Sequence, residues 1–531
     1  MPGVPLALDR KGLGDAGPGD LAVVRTGRGR AKLERVLGKA SDIQVVLEGL
    51  LEHTGARTEF EPYSEPAQDL SDRVDLRDVL AFTIDPETAK DFDDALSVRE
   101  EDGGIRAWVH IADVSAYVPA GSPLDRGASE RSFTTYVPGL AAPMLPPQLA
   151  DDRCSLRPHE DRLCLTVELP PEGEPRFYRS LIRSRARLTY AQAERREAEP
   201  DVAAALELTD RLTAAIRDRR FARGALRIES PEVNFEFDGR GSVARAWLES
   251  EPTAHRLVEE LMIAANEAVA RLLSSRRREA LYRVHERPDP QAIEQLLAKL
   301  ADLGVPTPAA PERLTPELAA RVAAETSERV SEYTTQSGRG REAFPSLVLR
   351  ALKQARYDPQ NLGHSGLASR AYCHFTSPIR RYPDLVVHRA LLRELGLADE
   401  PSPADLEGLA EHTSFREREA AQVEYLADEL CLAWLLDDEL FERGWDEPFD
   451  GEIVGLIGSG LFVRFGEVFE GFLPARRLHG DYFELNDLGT ALVGRRGGRT
   501  YRLGDPISVL VEKIEKTDGK VEISPVRRTR E

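Results

Sequence analysis

Near residue 446 the hydrophobic period of the chain changes. Upstream, long segments such as TAHRLVEELMIAANEAVARLL (253–273) and EHTSFREREAAQVEYLADELCLAWLLDDELFE (411–442) read as helices, the second with a polar first half. After RGWDEPFDG the pattern becomes short alternating runs punctuated by glycine: FDGEIVGLI, GLFVRFG, EGFLPARRL, ISVLVEKIE and KVEISPV. Alternation serves a strand and not a helix, so these runs predict a small five-stranded barrel of the OB type. With 531 residues, two to four domains are expected.

Residues 73 to about 400 mix strands and helices. AWVHIADVSAYV (107–118) is apolar and β-branched enough for a buried strand, and 285–356 reads as largely helical. The N-terminal part differs. GDLAVVRTGRGRAKLERVLG (19–38) alternates like one or two strands. SDIQVVLEGLLEHTG (41–55) reads as a helix: Ser41 with Gln44 fits a capping box, Ile43, Val46, Leu47, Leu50 and Leu51 share a face, and Gly55 ends it. EFEPYSEPAQDLSD (59–72) has the acid and proline content of a linker.

No run of about 18 apolar residues exists, so no membrane span is expected. MPGVPLALDRKGLGDAGPGD lacks the basic start and apolar stretch of a signal peptide. Cys154, Cys164, Cys373 and Cys431 are scattered without a CxxC pair, which predicts a reducing cytoplasm and neither a disulfide framework nor a zinc site. A net charge of −20 argues against a general nucleic-acid binder. It leaves room for a locally positive channel, and RSLIRSRARL (179–188) and IRRYPDLVVHR (379–389) are arginine clusters.

IDPETAKDFDDAL (84–96) crowds four aspartates together: Asp85, Asp91, Asp93 and Asp94. Neighbouring carboxylates repel, so something must neutralise them. On a loop they can converge, and hard oxygen donors without His or Cys suit Mg²⁺ or Mn²⁺. Two such ions can activate a water and stabilise a leaving oxygen in phosphodiester hydrolysis. An EF-hand loop counted from Asp85 fails, because Lys90 and Leu96 stand where Gly and Glu are required. A phosphatase-type DxD site and a solvated acidic loop remain open on spacing alone.

TIDPETAKDFDDALSV (83–98) resembles the aspartate motif of the RNase II / RNase R family of exoribonucleases, the RNB domain. Further blocks follow in the family's order: WVHIADVSAYV (108–118), SFTTYVPGLAAPMLPPQLADDRCSLRPHEDRL (132–163), HRLVEELMIAANEAVARLL (255–273), YRVHERPDP (282–290) and GHSGLASRAYCHFTSPIRRYPDLVVHR (363–389). The likeness covers roughly 73–526 and ends in an S1-type barrel. It implies an α+β fold: an RNB catalytic domain with a buried RNA channel, plus small all-β OB-type barrels. The expected division is 1–72 as a short N-terminal module and linker, 73–445 as the catalytic domain, and 446–527 as the S1 barrel.

The implied activity is Mg²⁺-dependent, processive 3′→5′ hydrolysis of single-stranded RNA to nucleoside 5′-monophosphates, by a cytoplasmic monomer. The resemblance assigns Asp85, Asp91 and Asp94 to a two-ion metal site, with Mn²⁺ as a substitute. Asp93 holds the 3′-hydroxyl end, and Arg380 is the catalytic arginine, whose planar fork suits charge developing on a phosphate. Arg381 is ambiguous. Tyr136 stacks on the terminal base, Tyr190 and Glu259 contact ribose 2′-hydroxyls, and Glu424 affects product release.

Three departures stand out. Ile228 occupies the place of a clamping aromatic, which puts the length of the final product in question. Phe462 and Phe465 keep base-stacking positions of the barrel, while Pro474 replaces a customary His. The 72 N-terminal residues are too few for the family's two cold-shock barrels, so one degenerate barrel or a small helix-turn-helix is expected, serving substrate choice more than chemistry. The alternatives to a ribonuclease are a catalytically silent RNA-binding regulator on the same fold, or a single-strand DNA exonuclease.

Overall fold

The computed structural model describes residues 16–26, 31–56, 59–228, 232–249, 253–398, 401–478 and 480–526. The first of these form an antiparallel hairpin, β1 (Asp20–Arg25) and β2 (Lys32–Lys39), and one helix, α1 (Ile43–His53). Among the described residues, this stands where a cold-shock barrel or a helix-turn-helix was expected. The helix is capped by Asp42, not Ser41: the Asp42 carboxylate accepts the Gln44 N–H at 2.9 Å. Its predicted apolar face is real, with Ile43, Leu47 and Leu51 buried.

The central region opens with β3 (Val74–Asp75), β4 (Phe82–Asp85), β5 (Asp94–Glu101) and β6 (Gly104–Ala112), and then α2 (Pro123–Arg131). A small hairpin follows, β7 (Thr135–Val137) and β8 (Leu140–Ala142), and then β9 (Asp161–Leu169), β10 (Arg176–Arg183) and β11 (Ala186–Thr189). Seven of these strands make one mixed sheet in the order β11-β4-β5-β6-β9-β10-β3. The strand predicted over 107–118 ends at Ala112, where the chain turns into a short 3₁₀ segment at Val114–Ala116.

Helices cover the sheet. After α3 (Tyr190–Glu194) and α4 (Pro200–Ala222), the hairpin β12 (Glu232–Phe237) and β13 (Val243–Glu249) leads into α5 (Thr253–Ser275). Next come β14 (Tyr282–Val284), α6 (Pro290–Asp302), α7 (Pro316–Ser337), α8 (Ala343–Arg350), β15 (Arg356–Asp358), α9 (Tyr382–Glu394) and the long α10 (Leu406–Arg443). One apolar core joins Phe82, Leu96, Val109 and Val167 of the sheet to Leu206, Leu261, Val269 and Leu391 of α4, α5 and α9. A second lies on residues of the aspartate loop and its neighbours, including Phe92, Ala95, Met144, Leu149 and Ile379.

All five predicted C-terminal runs are strands of a closed barrel: β16 (Phe449–Ile457), β17 (Gly460–Phe465), β18 (Phe469–Pro474), and, after an insertion, β22 (Pro506–Glu515) and β23 (Lys520–Pro525). The insertion is a three-stranded sheet, β19 (Phe483–Leu485), β20 (Ala491–Gly494) and β21 (Thr500–Arg502), absent from the sequence reading. Its strands are three or four residues long, too short for alternation to register.

The barrel corrects one site assignment. Phe465 is 1% exposed and packs on Phe449 and Phe469 inside the barrel, so it is core and cannot stack a base. Residues three apart on a strand face opposite sides, and Phe462 is the outward one. It lies 5.2 Å from Phe472, its partner across β17 and β18. Both rings are half-buried.

Candidate active site

The sheet brings the four aspartates together from a strand end, a loop and a strand start. Asp85 is the last residue of β4 and Asp94 the first of β5, with Asp91 and Asp93 in the loop between. That loop is clamped by residues the motif did not point to. The Ser155 hydroxyl accepts the Phe92 N–H at 3.0 Å and donates to the Lys90 carbonyl at 2.6 Å. Arg187 donates to the Glu87 carbonyl at 2.9 Å and lies over the Phe92 ring. Ala112 donates its N–H to the Asp93 carbonyl at 2.9 Å.

Three distant segments close on this loop. Asp93 is 4% exposed; one of its oxygens accepts the Ile379 N–H at 2.8 Å and the other lies 3.4 Å from Nε of Arg380. The Tyr136 hydroxyl donates to Asp91 at 2.5 Å, while its backbone N–H donates to Glu424 of α10 at 2.9 Å. Tyr136 remains 39% exposed, so its ring can still meet a ligand. Glu424, which reads as a surface helix residue in sequence, is half-buried and tied to the site.

The two arginines of the IRRY motif separate. Arg381 pairs at 2.8 Å with Asp384, which is fully buried and also accepts the Ser377 N–H. It is a structural ion pair. Arg380 is 47% exposed at its side chain, and its other contact is a 3.3 Å hydrogen bond to the Ser377 hydroxyl.

Burial dominates the electrostatics. It raises Asp85 to about 6, against the Thr83 hydroxyl and the charges of Arg187 and Arg380, with Asp91 adding to the rise. Burial, reinforced by Asp85, raises Asp94 to about 7, and Asp93 is raised well above the usual range for the same first reason. Burial also raises Glu424, against the Tyr136 N–H bond that lowers it. Such elevated carboxylates mark a site short of positive charge.

The donor set fits a hard divalent cation. A buried oxygen of Asp85 has no hydrogen-bond partner, the buried Asp93 oxygen has only the Arg380 guanidinium at 3.4 Å, and the anionic donors of the loop are all carboxylates. Among the described residues, no three His, Cys, Asp or Glu side chains form a finished cage. Asp91 and Asp93 are engaged by Tyr136 and Arg380 instead. That suits Mg²⁺, which is commonly held by one or two carboxylates plus water and substrate phosphate.

The remaining sequence-derived residues spread around this centre. Thr189 pairs with Asp85 across β11 and β4, so Tyr190 follows directly on the strand beside the site, with its ring 5.4 Å from that of His255. On α5, the buried partner of Arg220 is Glu260, bound by two hydrogen bonds. Glu259 keeps a 38% exposed side chain, 3.9 Å from the same guanidinium. Ile228 is half-buried against the apolar cluster of α6 to α8. Phe462 sits apart, on the barrel.

The family model of the RNB domain matches residues 73–396, and that of the S1 RNA binding domain matches 445–524. Ribonuclease R of Escherichia coli (strain K12) is 36% identical over 492 residues, 88% of this chain and 59% of that protein. The chain therefore spans less than two thirds of that relative's length. Ribonuclease R of Aquifex aeolicus (strain VF5) is 34% identical over 527 residues, 94% of this chain and 73% of that protein. In fold, the chain is similar to Mycoplasma genitalium RNase R solved in complex with ribose methylated single-stranded RNA, with a TM-score of 0.88, 24% identity, and coverage of 98% of this chain and 85% of that one. The aspartate loop, the IRRY arginine and the terminal barrel thus lie within matched domains, and the chain belongs to the RNB-domain family of ribonuclease R.

Proposed function

We propose that the chain is a Mg²⁺-dependent, processive 3′→5′ exoribonuclease that releases nucleoside 5′-monophosphates from single-stranded RNA. The observation that carries this reading is the convergence of Asp85, Asp91, Asp93, Asp94, Tyr136, Arg380 and Glu424 from four separated segments around one acidic centre. A purely structural cluster has no reason to keep a half-exposed arginine and an exposed tyrosine beside a buried, unpartnered Asp85 oxygen.

Asp85 and Asp94 are the carboxylates through which Mg²⁺ would be held, with Asp91, which accepts from the Tyr136 hydroxyl, beside them. The cation would lower the pKa of a bound water and screen phosphate charge. A water oxygen bonds to the last phosphorus as the P–O3′ bond breaks. The upstream O3′ takes a proton and becomes the new chain end, and the last nucleotide leaves with its 5′-phosphate. Arg380, oriented by Asp93 and Ser377, places its fork where negative charge grows on the phosphoryl oxygens. Tyr136 offers its ring to the terminal base without regard to sequence. Tyr190 and Glu259 would contact 2′-hydroxyls, which separate RNA from DNA.

Paired degradation of matched RNA and DNA oligonucleotides tests the reading. Stepwise loss of RNA with DNA spared supports it. Binding of RNA without turnover at any Mg²⁺ concentration makes the chain a silent binder, and equal loss of both polymers removes the sugar selectivity.

A further inference from the structure

The N-terminal helix packs behind the active site. Leu47 of α1 is 0% exposed, in a cluster that joins Ile43 and Leu51 to Val137 and Ala142 of the β7–β8 hairpin and to Val423, Ala427 and Leu430 of α10. Val137 is the chain neighbour of Tyr136, and Val423 of Glu424. The two groups that meet at 2.9 Å in the site are thus each one residue from the same buried patch.

The hairpin cannot hold itself. Its strands have three residues each, and an isolated two-stranded ribbon is marginal in water. On the site side it is pinned by the Thr134 N–H to the Arg380 carbonyl at 3.0 Å and the Met144 N–H to the Thr134 hydroxyl at 3.0 Å. On the other side it rests on α1 and α10 together. At the turn, Gly139 has φ +79°, and a Cβ there would meet the Gln44 amide at 3.2 Å, so Gln44 covers the turn closely. Alternation within β7 then does the rest: Val137 points into the α1 cluster while Tyr136 points to Asp91.

We infer that α1 is a brace for the pocket of the 3′-terminal nucleotide, with Leu47 and Gln44 as positioning residues that set the Tyr136 hydroxyl at Asp91 and the Tyr136 backbone N–H at Glu424. The inference rests on the proposed role of Tyr136. It makes the N-terminal module part of the chemistry, and not only of substrate choice. A displacement of about 1 Å at a positioning element can cost on the order of 10²-fold in rate.

The test uses the full chain and an RNA oligonucleotide carrying 2-aminopurine at its 3′ end, whose fluorescence falls on stacking. Binding is read in an Asp93→Asn background and kcat in the otherwise native chain, both well below the unfolding temperature. Leu47→Ala is expected to weaken the quenching and lower kcat about tenfold or more, and Leu47→Met to restore both. Val45→Ala is the control: Val45 packs against Gly38 of β2, away from the β7–β8 hairpin, so it should lower the unfolding temperature and leave quenching and kcat in place. If Leu47→Ala does not fold, Gln44→Ala decides on the same readouts. Unchanged quenching and kcat in the α1 variants, or equal losses in Val45→Ala, would overturn the brace. Absence of quenching with native α1 would instead overturn the role of Tyr136.

Discussion

Exchanging the two adjacent arginines of the IRRY motif, one at a time, separates chemistry from architecture. Arg380 touches Asp93 at 3.4 Å and Ser377 at 3.3 Å, and nearly half of its side chain is exposed. Arg380→Lys keeps the charge. An ammonium cannot hold both anchors and still present two donors to a phosphate. Loss of one comparable transition-state donor costs about 2.7–4 kcal/mol, so kcat should fall by about 10²–10³. Stability should fall less than in Arg381→Ala, because an ammonium at 380 keeps a positive charge beside the buried Asp93. Arg381→Ala should do the reverse first. It strands the fully buried Asp384 carboxylate, which now accepts from Arg381 at 2.8 Å and from the Ser377 N–H at 2.8 Å. Removing one partner of such a pair costs about 3–5 kcal/mol. The assays are single-turnover cleavage of a short unstructured RNA and urea unfolding of the same preparations. An Arg380→Lys chain that keeps most of its kcat, or that unfolds as easily as Arg381→Ala, would refute the assignment of roles.

Three further outcomes follow from the same geometry. Asp93→Asn should abolish hydrolysis while leaving RNA binding intact; since burial raises the native Asp93 pKa, its ionised form is a liability at neutral pH, and unfolding at pH 7.5 without Mg²⁺ should occur at an equal or higher temperature. Asp85 and Asp94, raised to about 6 and about 7, contribute stability that is fully present below the unfolded carboxylate pKa of about 4 and is lost as pH rises through about 6 and 7. The Mg²⁺-induced rise in unfolding temperature should therefore grow from pH 5.5 to 8, with proton release on binding in calorimetry; a pH-independent rise would contradict it. In the barrel, Phe465→Ala should cost about 3–5 kcal/mol of stability in denaturant unfolding, whereas Phe462→Ala should leave the barrel folded and weaken RNA binding by about 1–3 kcal/mol in titrations.

The parts of the molecule written in local patterns could be read from the sequence. The five barrel strands and the apolar face of α1 follow from periodicity, and the aspartate loop was visible as charge that no ordinary loop collects. Errors came where a side chain's direction mattered. Phe462 and Phe465 look alike in composition, yet three residues along a strand reverse the face, and only one is outside. Ser41 and Asp42 are both good caps, and the choice between them depends on a backbone turn of one residue. The Tyr136–Glu424 contact joins groups 288 residues apart, and no local signal announces it. The support of the β7–β8 hairpin by α1 is of the same kind: each face is legible alone, and their pairing is decided by the three-dimensional packing of both against α10.

The central claim is that the acidic centre removes nucleotides one at a time from the 3′ end of RNA. Time courses with the same RNA labelled at either end, with Mg²⁺ or with EDTA, test it most directly. With Mg²⁺, 3′-labelled RNA should release its label as a nucleoside 5′-monophosphate in the first turnover, 5′-labelled RNA should keep its label until the last short product, and EDTA should stop both. Early release of the 5′ label, internal cuts, or full activity in EDTA would contradict the account.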